Sequence, residues 1–187
     1  MKKFGSGGKN MREMIDKILI TEDEISKRVA ELGKELEKEY GDRELVVIGI
    51  LKGSVTFMSD LIRHIDKPIL VDYMAASSYE GSESTGHIKI SKDITVPIKG
   101  KDVLIVEDII DTGNTLSHII ELFKEREARS VKTITLLTKP SRRQKNVEVE
   151  YIGFEIPDYF VVGYGLDYNQ IGRNLPFVGV LKEEYYK

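Results

Sequence analysis

Cysteine is absent from the 187-residue sequence, which excludes disulfide frameworks and thiolate zinc sites and leaves a reducing compartment compatible. Histidine is scarce. His64, His87 and His118 stand at no ligand-like spacing from one another, so an imidazole metal centre is not expected. Positive charge is not in excess either: 28 Lys and Arg against 31 Asp and Glu leave a net charge of −3, the wrong sign for a domain built to neutralise nucleic-acid phosphates. The longest apolar runs, such as residues 45–51, have strand length and fall far short of the ~20 residues a spanning helix needs. No G-x-x-x-x-G-K-[ST] loop occurs, which sets aside P-loop nucleotide hydrolysis. Neither nucleic acid nor membrane is therefore an expected partner, and the cytoplasm is the expected location.

What is present is enough apolar content, 41%, for one substantial core. Residues 1–17 read as a flexible tail, lysines followed by a Gly/Ser-rich stretch, and residues 18–187 as a single domain. Thr21 and Glu24 have capping-box spacing, and Ile25, Val29, Leu32 and Leu36 then recur on one helical face, which predicts a helix over residues 21–40. Residues 45–51 follow as a strand buried on both faces. A second helical stripe runs through Val55, Met58, Leu61, Ile62 and Ile65, and residues 69–76 return to strand character. Strands are also expected at residues 103–106, 131–137, 151–154, 160–164 and 177–181, with a helix through Leu116, Ile119, Ile120 and Phe123. The alternation implies an α/β fold, a mostly parallel twisted sheet flanked by helices, with ligands at the carboxyl ends of its strands. The polar stretch 77–86 interrupts the rhythm and is long enough for a mobile flap.

Residues 103–115 are the most informative. An apolar strand ends in Glu107 and Asp108, and a small loop, Asp111-Thr112-Gly113-Asn114-Thr115, enters a helix. Thr112 and Thr115 supply hydroxyl donors, Gly113 lets the backbone wrap closely, and the helix start offers unpaired N–H groups, so a phosphate monoester would sit well there. Glu107 and Asp108 can accept hydrogen bonds from vicinal ribose hydroxyls and oppose positive charge on the sugar. Asp111 is placed to exchange a proton with a bound base.

This segment resembles the phosphoribosyl pyrophosphate motif of the type I phosphoribosyltransferases. The likeness extends over residues 18–181, through Leu51-Lys52-Gly53-Ser54, Ser78-Tyr79, Lys139-Pro140 and the run from Pro157 to Tyr168, and is strongest to the bacterial hypoxanthine-guanine members. The resemblance implies a hood over the active site and transfer of ribose 5-phosphate to hypoxanthine or guanine, with magnesium as cofactor. It implies pyrophosphate binding by Leu51, Lys52 and Gly53, with a cis Leu51–Lys52 peptide in some states, and by Arg173. Lys139, Phe160, Val161 and Asp167 would meet the purine, Ser78 and Tyr79 would belong to the flap, and Asp167, Glu107 and Asp108 would face the metal. Relatives imply a homodimer or homotetramer. The competing readings are transfer to xanthine or another purine, and a regulator that binds phosphoribosyl pyrophosphate without turnover.

Overall fold

The structure, a computed structural model, describes residues 10–78 and 88–187. Residues 11–17, expected to belong to a flexible tail, are folded, as a 3-10 turn at Met11–Met14 and the start of strand β1 (Ile15–Ile20). Met14 is buried, and β1 pairs antiparallel with β9 (Val178–Leu181).

Thr21 then caps α1 (Glu22–Tyr40) through the capping box. Glu24 N donates to Thr21 Oγ1 at 3.3 Å, and Thr21 N donates to the Glu24 carboxylate at 2.8 Å, satisfying two orphan donors of the first turn. β2 (Leu45–Ile50) is buried along its whole length. Leu45 and Val47 pack with α1 and α2 (Ser54–Ile62), whereas Val46, Ile48 and Ile50 pack with α3 (Asn114–Glu125). A continuous β-branched run suits a strand covered on both faces.

β3 (Leu70–Ser78), β4 (Ile88–Lys92), β5 (Asp102–Ile110), β6 (Ser130–Thr138) and β7 (Tyr151–Glu155) complete a six-stranded sheet of order β4-β3-β2-β5-β6-β7. It is parallel except for β4, which runs antiparallel to β3. β8 (Val161–Val162) joins β9 and β1 in a separate antiparallel sheet, the hood. From β2 the chain goes to β3 on one side and later to β5 on the other. The carboxyl ends of β2 and β5 therefore border the crevice where such sheets bind ligands. β5 is longer than the apolar run at 103–106 suggested. Glu107 and Asp108 lie inside it rather than at its end, because Ile109 and Ile110 still pair with Leu137 and Thr138 of β6. Among the described residues no helix is long and apolar enough to cross a membrane.

Asp72 fastens the β4 side of the sheet. Its nearly buried carboxylate accepts from Thr95 N (2.5 Å), Thr95 Oγ1 (3.0 Å), Val96 N (3.1 Å) and Tyr73 N (2.7 Å), and pairs with Lys92 Nζ at 3.2 Å. Burial alone would raise its pKa, but the N–H donors of Thr95, Tyr73 and Val96, with Lys92, outweigh it and hold the carboxyl well below the usual range. A carboxyl depressed on folding contributes stability above its unfolded pKa, near 3.9, that is lost as the pH falls through its folded value. Asp72→Asn is therefore expected to cost about 2 kcal/mol at pH 7, and the gap from the parent should narrow below about pH 4. Urea unfolding of both proteins at the two pH values checks this, and equal stability at pH 7 would contradict it.

Candidate active site

The loop after β2 and the loop after β5 face each other across the crevice. Leu51, Lys52 and Gly53 form the first, and the Leu51–Lys52 peptide is cis, the isomer that the resemblance allows. A Cβ on Gly53 would lie 1.5 Å from Asp108 Oδ2, and one on Gly165 would lie 2.1 Å from Gly53 O. Asp108, Gly53 and Gly165 are thus stacked backbone to side chain in a space that admits no larger residue at either glycine.

The second loop runs from Asp111 to Thr115. Gly113, with φ 83°, caps α3 without a side-chain hydrogen bond, so the first N–H groups of the helix open toward the crevice. Asn114 N lies 3.4 Å from Thr112 Oγ1. These two loops, with Glu107, Asp108, Asp167 and Arg173, line a cavity of about 340 Å³. A second cavity of about 230 Å³ adjoins it, sharing Asp108, Ile109, Asp111 and Asp167, and adds Lys139, Phe160, Val161 and Leu166. Lys139 is 6% exposed, and its Nζ lies 3.5 Å from Asp158 Oδ1. Phe160 is 37% exposed, not packed into a core; its ring is stacked on Tyr186 at 4.8 Å and met edge-on by Tyr168 at 5.7 Å. A larger cavity of about 620 Å³ lies between α1, α2 and the chain near residue 174, but of the site residues expected from the sequence it touches only Arg173.

The crevice therefore offers an anion-accepting loop, a carboxylate floor and an aromatic-walled slot side by side. A family model described as the phosphoribosyl transferase domain matches residues 17–169. The chain belongs to the phosphoribosyltransferase family. It is 52% identical to the hypoxanthine-guanine phosphoribosyltransferase of Bacillus subtilis over 178 residues, covering 95% of this chain and 99% of the relative. The crystal structure of a hypoxanthine phosphoribosyltransferase from Staphylococcus aureus superposes with a TM-score of 0.92 at 50% identity, covering 95% of this chain and 97% of that one. A hypoxanthine-guanine phosphoribosyltransferase from Bacillus anthracis gives a TM-score of 0.86 at 45% identity, covering 90% and 99%.

Every site residue expected from the sequence lines one of the two adjoining cavities of this phosphoribosyltransferase, apart from the flap pair. Ser78 closes β3, and Tyr79 lies outside the described residues. The carboxylate floor is electrostatically strained. Burial first, then the neighbouring Asp108 charge, pushes Glu107 well above the usual carboxyl range. Burial also raises Asp108, against the opposing pull of the Ile109 N–H and of Arg173. Burial thus works against the charged forms of these two groups, and a cationic ligand would work for them.

Sequence reasoning missed the brace behind the 111–115 loop. Gln144 N and Lys145 N donate to Thr112 O at 3.0 and 3.1 Å, Asn114 Nδ2 donates to Gln144 Oε1 at 3.3 Å, and Arg143 donates to Thr138 Oγ1 at 2.7 Å. Arg142 Nε stands 3.0 Å from Asp111 Oδ1, and Arg142 Nη1 stands 3.4 Å from Asp158 Oδ1. The available signal was the basic run Arg142-Arg143 just beyond the carboxyl end of β6.

Proposed function

We propose that this protein is a purine-salvage enzyme that transfers the ribose 5-phosphate of phosphoribosyl pyrophosphate to N9 of hypoxanthine or guanine and releases pyrophosphate. The observation that carries this reading is the junction of the two cavities at Asp108 and Asp111. A sugar phosphate seated on the 111–115 loop would present its anomeric carbon to a base held between Lys139 and Phe160.

In this reading the Thr112 and Thr115 hydroxyls and the N–H groups opening α3 bind the 5-phosphate. Lys52, the 51–53 loop and Arg173 bind pyrophosphate, and Phe160 gives the purine an aromatic face. Bond breaking ahead of bond making leaves positive charge on the ribose, which Glu107 and Asp108 oppose from below. Asp111 takes the proton that the base gives up at N7. Val161 lines the base slot.

Magnesium fits the donor set. Among the described residues no group of three or more His, Asp or Glu is arranged to hold a metal alone, but Mg²⁺ is commonly held by one or two carboxylates together with substrate phosphates. Glu107, raised by burial and then by the Asp108 charge, and Asp108, raised by burial with a smaller push from Asp167, are carboxylates that a cation would relieve. Asp167 is already engaged: Oδ1 pairs with Arg173 at 2.6 Å and Oδ2 accepts Gln170 N at 2.7 Å. Contact through water therefore suits Asp167 better than direct ligation. When bound, Mg²⁺ would neutralise charge building on the departing pyrophosphate.

Nucleotide formation from hypoxanthine, guanine, xanthine and adenine, each with phosphoribosyl pyrophosphate, tests the assignment. Hypoxanthine and guanine should react only when magnesium is supplied; full activity after exhaustive chelation would remove the metal from the scheme, and no product from either base would remove the function. For the phosphate loop, the Thr112→Val, Thr115→Val double variant should weaken phosphoribosyl pyrophosphate binding roughly 10- to 100-fold, two donors to a charged group being lost. Calorimetric titration gives the constant, and an unaltered value would return these threonines to a purely local role at the helix start.

A further inference from the structure

Tyr168 and Ile171 exchange main-chain hydrogen bonds, Tyr168 N to Ile171 O at 2.9 Å and Ile171 N to Tyr168 O at 3.1 Å. The two residues between them, Asn169 and Gln170, both have positive φ, 50° and 69°. That is the geometry of a type I′ hairpin turn, whose second central place glycine fills by preference. A Cβ in the left-handed region crowds the following carbonyl, which asparagine offsets with local hydrogen bonds from its short side chain and the longer glutamine does not. A residue that fits the turn poorly is held there by what its side chain does.

Gln170 Oε1 accepts from Lys52 Nζ at 3.1 Å and from Arg173 Nη2 at 3.5 Å. Its N–H is bound by Asp167, the carboxylate that pairs with Arg173. Arg173 Nη1 in turn donates to Gly165 O at 2.7 Å, beside the point where Gly165 presses on Gly53. One amide oxygen therefore ties the loop after β2 to the arginine of the hood.

We propose that Gln170 is a positioning residue that holds Lys52 and Arg173 together as a two-cation seat for pyrophosphate. The inference rests on the reading of Lys52 and Arg173 as pyrophosphate ligands. An amide suits the task because its carbonyl orients both donors without adding to the negative charge that Asp167 already sets against Arg173. A carboxylate would orient them as well and neutralise one.

Gln170→Gly relieves the turn and removes the bridge. It should raise the KM for phosphoribosyl pyrophosphate, and for pyrophosphate in the reverse reaction with inosine monophosphate, roughly 10-fold, while kcat changes less than about 3-fold. The KM for hypoxanthine should hold, and the thermal midpoint should stay or rise. Gln170→Glu keeps the reach and should raise the pyrophosphate KM at least as much. An unchanged pyrophosphate KM in either variant overturns the inference, as does a rise in Gln170→Gly matched by the hypoxanthine KM or by a fall in thermal midpoint. Should the glycine variant fail to fold, the glutamate variant alone decides in the same way. Lys52→Ala run alongside separates the two layers: if it raises the pyrophosphate KM and the Gln170 variants do not, only the role of Gln170 falls. If Lys52→Ala leaves that KM unchanged, the pyrophosphate reading of the loop falls with it.

Discussion

Asp111→Asn is expected to lower kcat by roughly 10²- to 10⁴-fold while leaving the affinity for phosphoribosyl pyrophosphate within about 3-fold of the parent. Asp111 is the first residue beyond β5 and lines both cavities, so in the proposed function its carboxylate would lie where sugar and base meet. Among the described residues its Oδ1 is shielded from water and takes no well-aligned hydrogen bond. Arg142 lies 3.0 Å away, near enough to balance its charge. A shielded acceptor with free capacity suits a proton arriving from the base, and asparagine keeps the shape while losing the basicity. In the proposed function the phosphate contacts, by contrast, belong to Thr112, Thr115 and the start of α3, which the substitution leaves in place. Pre-steady-state turnover and equilibrium titration together decide the matter. Unchanged kcat would strip Asp111 of the proton, and a large loss of substrate affinity would make it a binding residue instead.

How far the sequence carried depended on whether a feature was local. The capping box at Thr21 and Glu24, the buried run of β2 and the order of residues 103–115 each write their meaning into neighbouring positions, and each stands in the structure as expected. The hood was less legible. β1 is short, carries Asp16 and Lys17 among its isoleucines, and pairs with β9 at the other end of the chain, so nothing nearby in sequence announced it. β5 outran its apolar stretch because pairing with β6 continues through Ile110, a tertiary cause that no single-strand pattern contains. At the site, the residues with a family precedent were named in advance, but Arg142 and Gln170 were not. Arg142 matters through Asp111 and Asp158, and Gln170 through Lys52, 118 positions away. Such contacts appear only once the chain is folded.

Adenine is expected to be nearly inert with the unmodified protein, with kcat/KM roughly 10⁴-fold below that for hypoxanthine, and Lys139→Ala is expected to erode most of that ratio. Lys139 is 6% exposed, and its ammonium has a single long contact, 3.5 Å, to Asp158 among the described residues. A purine with a carbonyl at position 6 gives this ammonium the acceptor it lacks. Adenine offers an amino group at the same place, so two donors would face each other with water excluded, and an unmet buried charge costs more than an ordinary lost hydrogen bond. Asp158 could in principle turn to accept from the adenine amine, but it is also drawn to Arg142 at 3.4 Å. Turning would leave two cations without it. Lys139→Ala removes the repulsion and the hydrogen bond together, so hypoxanthine should lose most of its advantage while adenine loses little. The ratio should fall to about 10-fold or less, since stacking on Phe160 serves either base alike and does not discriminate. Competition kinetics with hypoxanthine, guanine and adenine on both proteins measures it. Comparable use of adenine by the unmodified enzyme would refute the role of Lys139 outright, and a ratio that survives Lys139→Ala would move base choice to the backbone around Val161.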